Sequence, residues 1–241
     1  MGKYVEICEK TPLSGWWVDK FMENYAIMPS LKGIGFKNRN FGGFFPGQEV
    51  SNMSYTIVNL QQGTKEWLEW RSQGIGASDA PTIMGENPWK SAAYLLQEKC
   101  GRKTYGPNAA MVRGTTLEPE ARKRYETKVG IRVVPACLQS VKYEWLRASV
   151  DGLATDGSTI VEIKCGESVY HKASTSRAVP DYYYGQLQHI LAITNFQSVD
   201  FYCYLPERPE VHLRIARDDS YIKRLLDAEY LFWQKILKNR K

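Results

Sequence analysis

ASVDGLATDGSTIVEIKCG, residues 148–166, is the stretch on which the reading of the chain turns. Thr159-Ile160-Val161-Glu162-Ile163-Lys164-Cys165 is rich in β-branched residues, which suit a pleated, half-buried strand. Side chains two apart on a strand share a face, so Glu162 and Lys164 stand together and Val161 and Ile163 point the other way. Asp151 precedes the polar turn Thr155-Asp156-Gly157-Ser158 and returns across the same hairpin. Two carboxylates and an ammonium at one place can hold a divalent cation and charge a water. They can equally be the solvated face of an edge strand.

The spacing alone does not decide between these readings. At ordinary Glu and Lys frequencies, E-x-K arises by chance about once in a chain of this length. Glu126-Thr127-Lys128 fits the same pattern, but it lies in an expected helix, where residues two apart diverge. Glu162 and Lys164 instead follow apolar neighbours in an expected central strand, where a charged pair is costly without a partner or a task. For such a task, hard cations such as magnesium take carboxylates, carbonyls and waters. Asp151 and Glu162, with the Ile163 carbonyl, form such a donor set, and Lys164 stands beside it to hold an attacking water, an outline of phosphodiester hydrolysis.

The rest of the chain is read outward from this hairpin. TKEWLEWRS opens a helix with Thr64 as N-cap. GASDAPTIMG and SAAYLLQEKCG are short helices, the second closed by Gly101. A longer helix is expected over about 117–128, where Thr115 and Glu118 have capping-box spacing and Pro119 suits a first turn. Strands are expected near 131–136, 139–150 and 158–165, then a helix over DYYYGQLQHILAIT, strands in SVDFYCYLP and EVHLRIARD, and a final helix over 219–240. Gln186 and Gln188 fall within the DYYYGQLQHILAIT helix, where each is a satisfied core amide, a surface group or a residue facing the same site. The element order predicts one α/β domain of α+β type, a mixed central sheet flanked by helices.

Residues 1–55 read differently. LKGIGFKNRNFGGFFPGQ, residues 31–48, has neither helical nor strand period and reads as irregular or poorly ordered, while SGWWVDKFMENYAIM before it suits one short helix. The organisation expected is therefore an N-terminal extension over 1–55 and a main domain over 56–241, with residues 1–52 dispensable for any chemistry of the main domain.

Composition excludes several classes. The 241 residues carry a net charge of +6, compatible with a polyanionic partner without establishing one. Five cysteines stand singly, with no C-x-x-C pair, against a zinc ribbon, a disulfide framework or an iron–sulfur staple. The three histidines lack H-x-x-x-H spacing, and there is no Walker, Rossmann or G-x-S-x-G signature. No apolar run reaches transmembrane length and the N-terminus lacks a secretion signal, so the expectation is the cytoplasm, or the DNA-containing compartment of an infected host cell, with no membrane.

Four segments taken together carry a family resemblance: TKEWLEWRSQGIGASDAPTIMGENPW, RGTTLEPEARKRYE, SVDGLATDGSTIVEIKC and YYYGQLQHILAIT. In this order they resemble the lambda-exonuclease branch of the PD-(D/E)xK nucleases, also called the YqaJ viral recombinase family, from about Val58 to the C-terminus. The resemblance implies a restriction-endonuclease-like core and a magnesium-dependent exonuclease that uses two ions, with manganese able to substitute. Such an enzyme degrades one strand of linear double-stranded DNA from its 5′ end and leaves a 3′ single strand for a single-strand annealing protein. An endonuclease or structure-specific nuclease of the same superfamily is the alternative, and a DNA-end binder with a decayed site is a third reading. The resemblance assigns Asp151, Glu162 and Lys164 to the metal-and-lysine signature, with Val150 where a proline often stands. It assigns Glu118 to an acidic residue near the second metal, Gln186 to the glutamine of a Q-x-Q helix, and Arg71, Ser78 and Ser149 to a terminal 5′-phosphate pocket. Gln188, the second glutamine of that helix, is grouped with the DNA-binding residues. Some members of the family form a trimer around DNA, and a homotrimer is an expectation on that ground alone.

Overall fold

The computed structural model describes residues 54–101 and 109–240. The expected irregular region at 31–48 and the short helix before it lie outside the described residues. β1 (Tyr55–Val58) is followed by α1 (Lys65–Ser72), the two-residue β2 (Ile75–Gly76), a short 3₁₀ turn at Ala77–Asp79 and α2 (Ala80–Ile83). Then come α3 (Ala92–Lys99), α4 (Ala109–Val129), β3 (Val133–Ser140), β4 (Leu146–Ala154) and β5 (Ile160–Lys164). The chain closes with α5 (Glu167–Ser176), α6 (Asp181–Thr194), β6 (Ser198–Cys203), β7 (Val211–Ala216) and α7 (Asp219–Asn239).

The strands form one mixed sheet in the order β1-β3-β4-β5-β6-β7, with β2 added beside β4. Pairing is antiparallel except for β5 with β6 and β2 with β4. The parallel β5–β6 pair requires a crossover, and α5 and α6 provide it. Each face of the sheet carries a helix. Val161 and Ile163 pack with Ala121 and Tyr125 of α4, whereas Leu187 and Ile190 of α6 pack with Leu138, Ala148 and Phe201. This is the mixed sheet flanked by helices that the element order predicts.

Local chemistry explains most element ends. Thr64 caps α1 through its side chain, which accepts from the Trp67 N–H. Ser91 does the same for α3 through Tyr94, and Asp218 for α7 through Tyr221. Arg177 and Asn195 close α5 and α6 in the left-handed region, at φ 54° and 58°.

The structure corrects four expectations. α4 begins at Ala109, so Glu118 lies well inside it, not at its cap, and Pro119 is an interior proline. The capping-box spacing matched, but a favourable local pattern does not stop a helix already running. β3 runs unbroken to Ser140, and the reversal falls at 141–145, where a Tyr143 N–H to Ser140 hydroxyl bond and a Leu146 N–H to Tyr143 carbonyl bond replace the Gly or Pro of a recognisable turn. The helix α5 was not expected: it buries only Val169, Tyr170 and Ala173, too narrow a stripe to stand out. The two-residue β2 is too short for any periodic signal.

Along one edge β4 pairs with β3, and its other edge is shared. β2 takes Leu146 and Arg147, and β5 takes Gly152 and Leu153. Ala148 to Asp151 are left between them without a strand partner on that side. Gly152 stands where the pairing with β5 begins, and a Cβ there would lie 2.7 Å from both Val133 Cγ2 and Val161 Cγ1. Only glycine lets β4 pass this closely between its neighbours at that level.

Candidate active site

The gap in β4 pairing is where the acidic residues meet. Past Gly152 the β4–β5 ladder stops, and the carboxylate of Asp151 accepts the Ile163 N–H, at 2.7 Å from Oδ2. In a strand, one residue's N–H and C=O point to the same side, so the Ile163 carbonyl faces the same gap. Glu162 stands on the α6 side, almost fully buried at 3% exposure. Its Oε1 accepts from Lys164 Nζ at 2.6 Å and from Gln186 Nε2 at 2.5 Å. Its Oε2 is buried without any partner. Lys164 also lies over the ring of Tyr183, 4.7 Å from the centroid.

Glu118 reaches the same place from α4. Its carboxylate pairs with Arg122 one turn on, and Arg122 Nε donates to the backbone carbonyl of Asp151 at 2.8 Å. Arg122 therefore ties the acidic residue of α4 to β4. Sequence reasoning missed it, although its i+4 spacing from Glu118 was a usable signal.

The electrostatics report crowded negative charge. Burial, then the Asp151 carboxylate, push the Glu118 carboxyl up to about 8. Burial and the same neighbour push Glu162 up to about 7, and Asp151 is raised chiefly by burial. Burial alone would lower the Lys164 ammonium, but Glu162, Tyr183 and Asp151 together hold it well above its ordinary value. Lys164 is thus held toward its charged form.

A second group of donors lies in the same cleft. Arg71 Nη2 donates to the Ser78 hydroxyl at 2.5 Å, and its guanidinium lies 5.1 Å from the Trp67 ring centroid. Trp67 Nε1 donates to the Ser149 hydroxyl at 2.7 Å. The cleft that these residues line also reaches Asp151, Glu162 and Gln186, and its volume is about 180 Å³. That is below the roughly 300–1,000 Å³ of small-molecule sites, and suits a phosphate group better than a whole nucleotide. Two further lining residues went unnoticed in the sequence. Gln62 donates to the carbonyls of Val150, at 3.0 Å, and Ala136, bracing β4 beside Asp151. Arg147 stacks against Trp70 and donates to its carbonyl. Both act through long-range contacts that no local spacing reveals.

Of the expected site residues, the structure brings together Asp151, Glu162, Ile163, Lys164, Glu118 and Gln186, and beside them Arg71, Ser78 and Ser149. Gln188 is not among them. It is fully buried, donates to the Ala216 carbonyl and accepts from the Asp218 N–H, so it joins α6 to the start of α7. Two places along a helix turn the side chain by about 200°, so Gln186 and Gln188 cannot face one site.

Whether the donors fit a metal ion is answered by Glu162 Oε2. A buried carboxylate oxygen without a hydrogen bond, next to a second carboxylate and a backbone carbonyl, is a donor set of the kind a hard divalent cation takes. Among the described residues no three His, Cys, Asp or Glu side chains already converge on one point. Glu118 is paired with Arg122.

An acidic pair and a lysine beside a gap between the central strands β4 and β5, with a helical glutamate near them, form the arrangement expected of a PD-(D/E)xK-type site. The family follows from comparison: residues 66–197 match the YqaJ-like viral recombinase domain, and the chain belongs to that family. The protein YqaJ of Bacillus subtilis (strain 168) is 30% identical over 181 residues, 73% of this chain and 57% of that protein. The protein R354 of Acanthamoeba polyphaga mimivirus is 25% identical over 160 residues, 60% of this chain and 29% of that one. The chain thus spans little more than half of one curated relative and less than a third of the other. Among solved structures, the alkaline exonuclease LHK-Exo of Laribacter hongkongensis superposes with a TM-score of 0.66 at 28% identity, covering 73% of this chain and 94% of that one. A phage-related exonuclease from Haemophilus somnus 129PT shares the fold, with a TM-score of 0.50 at 15% identity. No helix among the described residues is long and apolar enough to cross a membrane.

Proposed function

We propose that the chain is a metal-dependent deoxyribonuclease that removes nucleotides from the 5′ end of one strand of linear duplex DNA. The single observation that carries the reading is the unpartnered Glu162 Oε2 beside Asp151, in the same cleft as the Arg71–Ser78 donors. The likeness to LHK-Exo, which has also been crystallised in complex with dAMP, supports DNA as the substrate class and a nucleotide as the product class.

Asp151, Glu162 and the Ile163 carbonyl would hold the ion, with Glu118 positioned toward a second. A bound magnesium ion supplies the charge that acidifies a water and neutralises the scissile phosphate. Lys164, fixed as an ammonium by Glu162, places a positive charge where the attacking oxygen develops negative charge. Gln186 and Lys164 keep Glu162 Oε1 occupied and leave Oε2 without a partner, available to the ion. Arg71, Ser78 and Ser149 offer donors to a terminal 5′-phosphate, which sets the polarity and makes cutting depend on an end. The resulting 3′ single strand is the substrate of an annealing protein.

The test is a comparison of linear and closed-circular duplex DNA in magnesium or chelator, with Lys164→Ala as control. Magnesium-dependent loss of the linear form alone, absent in the variant, is expected. Cutting of the circle would replace the reading with an endonuclease at the same site.

A further inference from the structure

Trp89 is 72% exposed, the most exposed of the large apolar side chains described. An exposed indole offers a large, rigid apolar face for contact. Its loop is nevertheless firmly held. Asn87 Oδ1 accepts from the N–H groups of Trp89, at 2.9 Å, and Lys90, and Asn87 Nδ2 donates to the Thr82 hydroxyl. The N–H groups of Glu86 and Asn87 both donate to the Pro81 carbonyl, and the Tyr221 hydroxyl donates to the Glu86 carboxylate. These bonds fix the backbone that presents the ring, so covering the ring orders less than it would on a free loop.

The ring is also connected to the active site. Trp89 meets Tyr182 edge to face, with centroids 4.7 Å apart, and Tyr182 lies 4.8 Å from Tyr183. Tyr183 in turn carries Lys164 over its face. Three aromatic rings therefore run outward from the catalytic lysine to the surface. Grooves lie on both sides of the Trp89–Tyr182 contact. One is lined by Arg113 and Gly166, the other by Lys172, Thr175 and Ser176. Lys172 Nζ stands 4.9 Å from the Tyr182 centroid. The nearby acids are engaged, Glu167 with Arg113 and Glu86 with Tyr221, while Asp181 opens α6.

We infer that Trp89, backed by Tyr182, is a stacking platform for an unpaired base of the DNA, with Lys172 beside it for the adjoining phosphate. The inference rests on the nuclease reading and adds to it a place where a base separated from its partner is held at the mouth of the site. Every base presents a π-face, so such a platform serves a nuclease without sequence preference. A protein partner would suit an apolar patch equally, but it would not explain a row of rings leading to Lys164.

The test uses the full chain with calcium in place of magnesium, so that binding is read without cleavage. Dissociation constants are measured for duplexes with a short single-stranded end and for the same duplexes with abasic sites in that end. Trp89→Ala should weaken the first by about 10-fold, within the range for one base–aromatic stack, and leave the abasic duplex unchanged. Trp89→Phe should restore most of the loss. Equal affinities of wild type and Trp89→Ala for the base-containing end would overturn the platform, as would an equal loss on the abasic duplex. A Trp89→Ala change in oligomeric state with no change in DNA binding would assign the ring to a protein contact and overturn it too. If the wild type cuts linear DNA in magnesium while the variant binds it normally, the platform alone fails. If the wild type neither binds nor cuts, the nuclease reading fails with it.

Discussion

Lys164 Nζ lies 2.6 Å from Glu162 Oε1, and this contact divides the Glu162 carboxylate into two oxygens with different work. Oε1 is saturated by Lys164 and Gln186, and Oε2 has no partner. The ammonium thus sets the charge and the orientation of the carboxylate and leaves Oε2 unoccupied. Removing Lys164 should therefore affect chemistry and metal binding differently. Lys164→Ala is expected to lower the cleavage rate by roughly 10²–10³-fold, the loss seen when one preorganised donor to a developing charge is removed. Magnesium affinity, read by calorimetry, should stay within a few-fold, whereas Glu162→Gln should abolish it. Loss of both properties together in Lys164→Ala would contradict the division.

Metal binding should rise with pH in a defined window. Glu162 and Glu118 are raised to about 7 and about 8 from an ordinary 4.5, so in the metal-free protein they hold protons that the unfolded chain has lost. The folded state binds more protons between about 4.5 and 8, so its stability falls as pH rises through that range. Magnesium competes with those protons and reverses the loss. The shift in Tm on adding magnesium is expected to grow steadily from pH 5.5 to pH 8.5. A shift that is constant or shrinks over that range would show that these carboxylates do not bind the ion.

The Arg71–Ser78 contact predicts a preference for phosphorylated ends. A hydrogen bond to a charged group contributes about 1.5–3 kcal/mol. Arg71→Ala should therefore slow digestion of 5′-phosphorylated duplex by roughly 10- to 100-fold and leave 5′-hydroxyl ends nearly unchanged. Single-turnover rates on the two ends measure this. Equal slowing of both would remove Arg71 from the terminal phosphate.

Much of this site was legible in the sequence because its elements are local. The β-branched run around Glu162 fixes a strand, period two puts Lys164 on the same face, and Asp156-Gly157-Ser158 fixes the hairpin that returns Asp151. What was not legible depends on contacts between distant segments. Arg147 reaches Trp70 across 77 positions and Gln62 reaches Val150 across 88, and no window of sequence holds both partners. Glu118 was visible but misplaced, because a capping pattern inside a longer helix looks the same as one at its start.

Gly152 couples packing to chemistry. Gly152→Ala forces a Cβ to within 2.7 Å of Val133 and Val161, on strands that flank β4 on both sides. Overpacking of this kind typically costs about 1–3 kcal/mol, and here it also presses β5 away from Asp151. Denaturant unfolding should show that loss, and the cleavage rate per folded molecule should fall with it. Unchanged activity would mean that β4 and β5 absorb the methyl group without moving Asp151 relative to Ile163.

Gln188 supplies the complementary case. Its side chain joins the Ala216 carbonyl to the Asp218 N–H at the start of α7, far round the helix from Gln186. Gln188→Leu removes both bonds at a part-buried place, at about 0.5–1.5 kcal/mol for each. The expected outcome is a lowered Tm with kcat and the affinity for DNA ends unchanged in the folded fraction. Gln186→Leu should do the reverse: it frees Glu162 Oε1 from one donor, so its main effect should be on the rate and the magnesium requirement. A fall in DNA affinity for Gln188→Leu at full folding would return that residue to the DNA-binding surface.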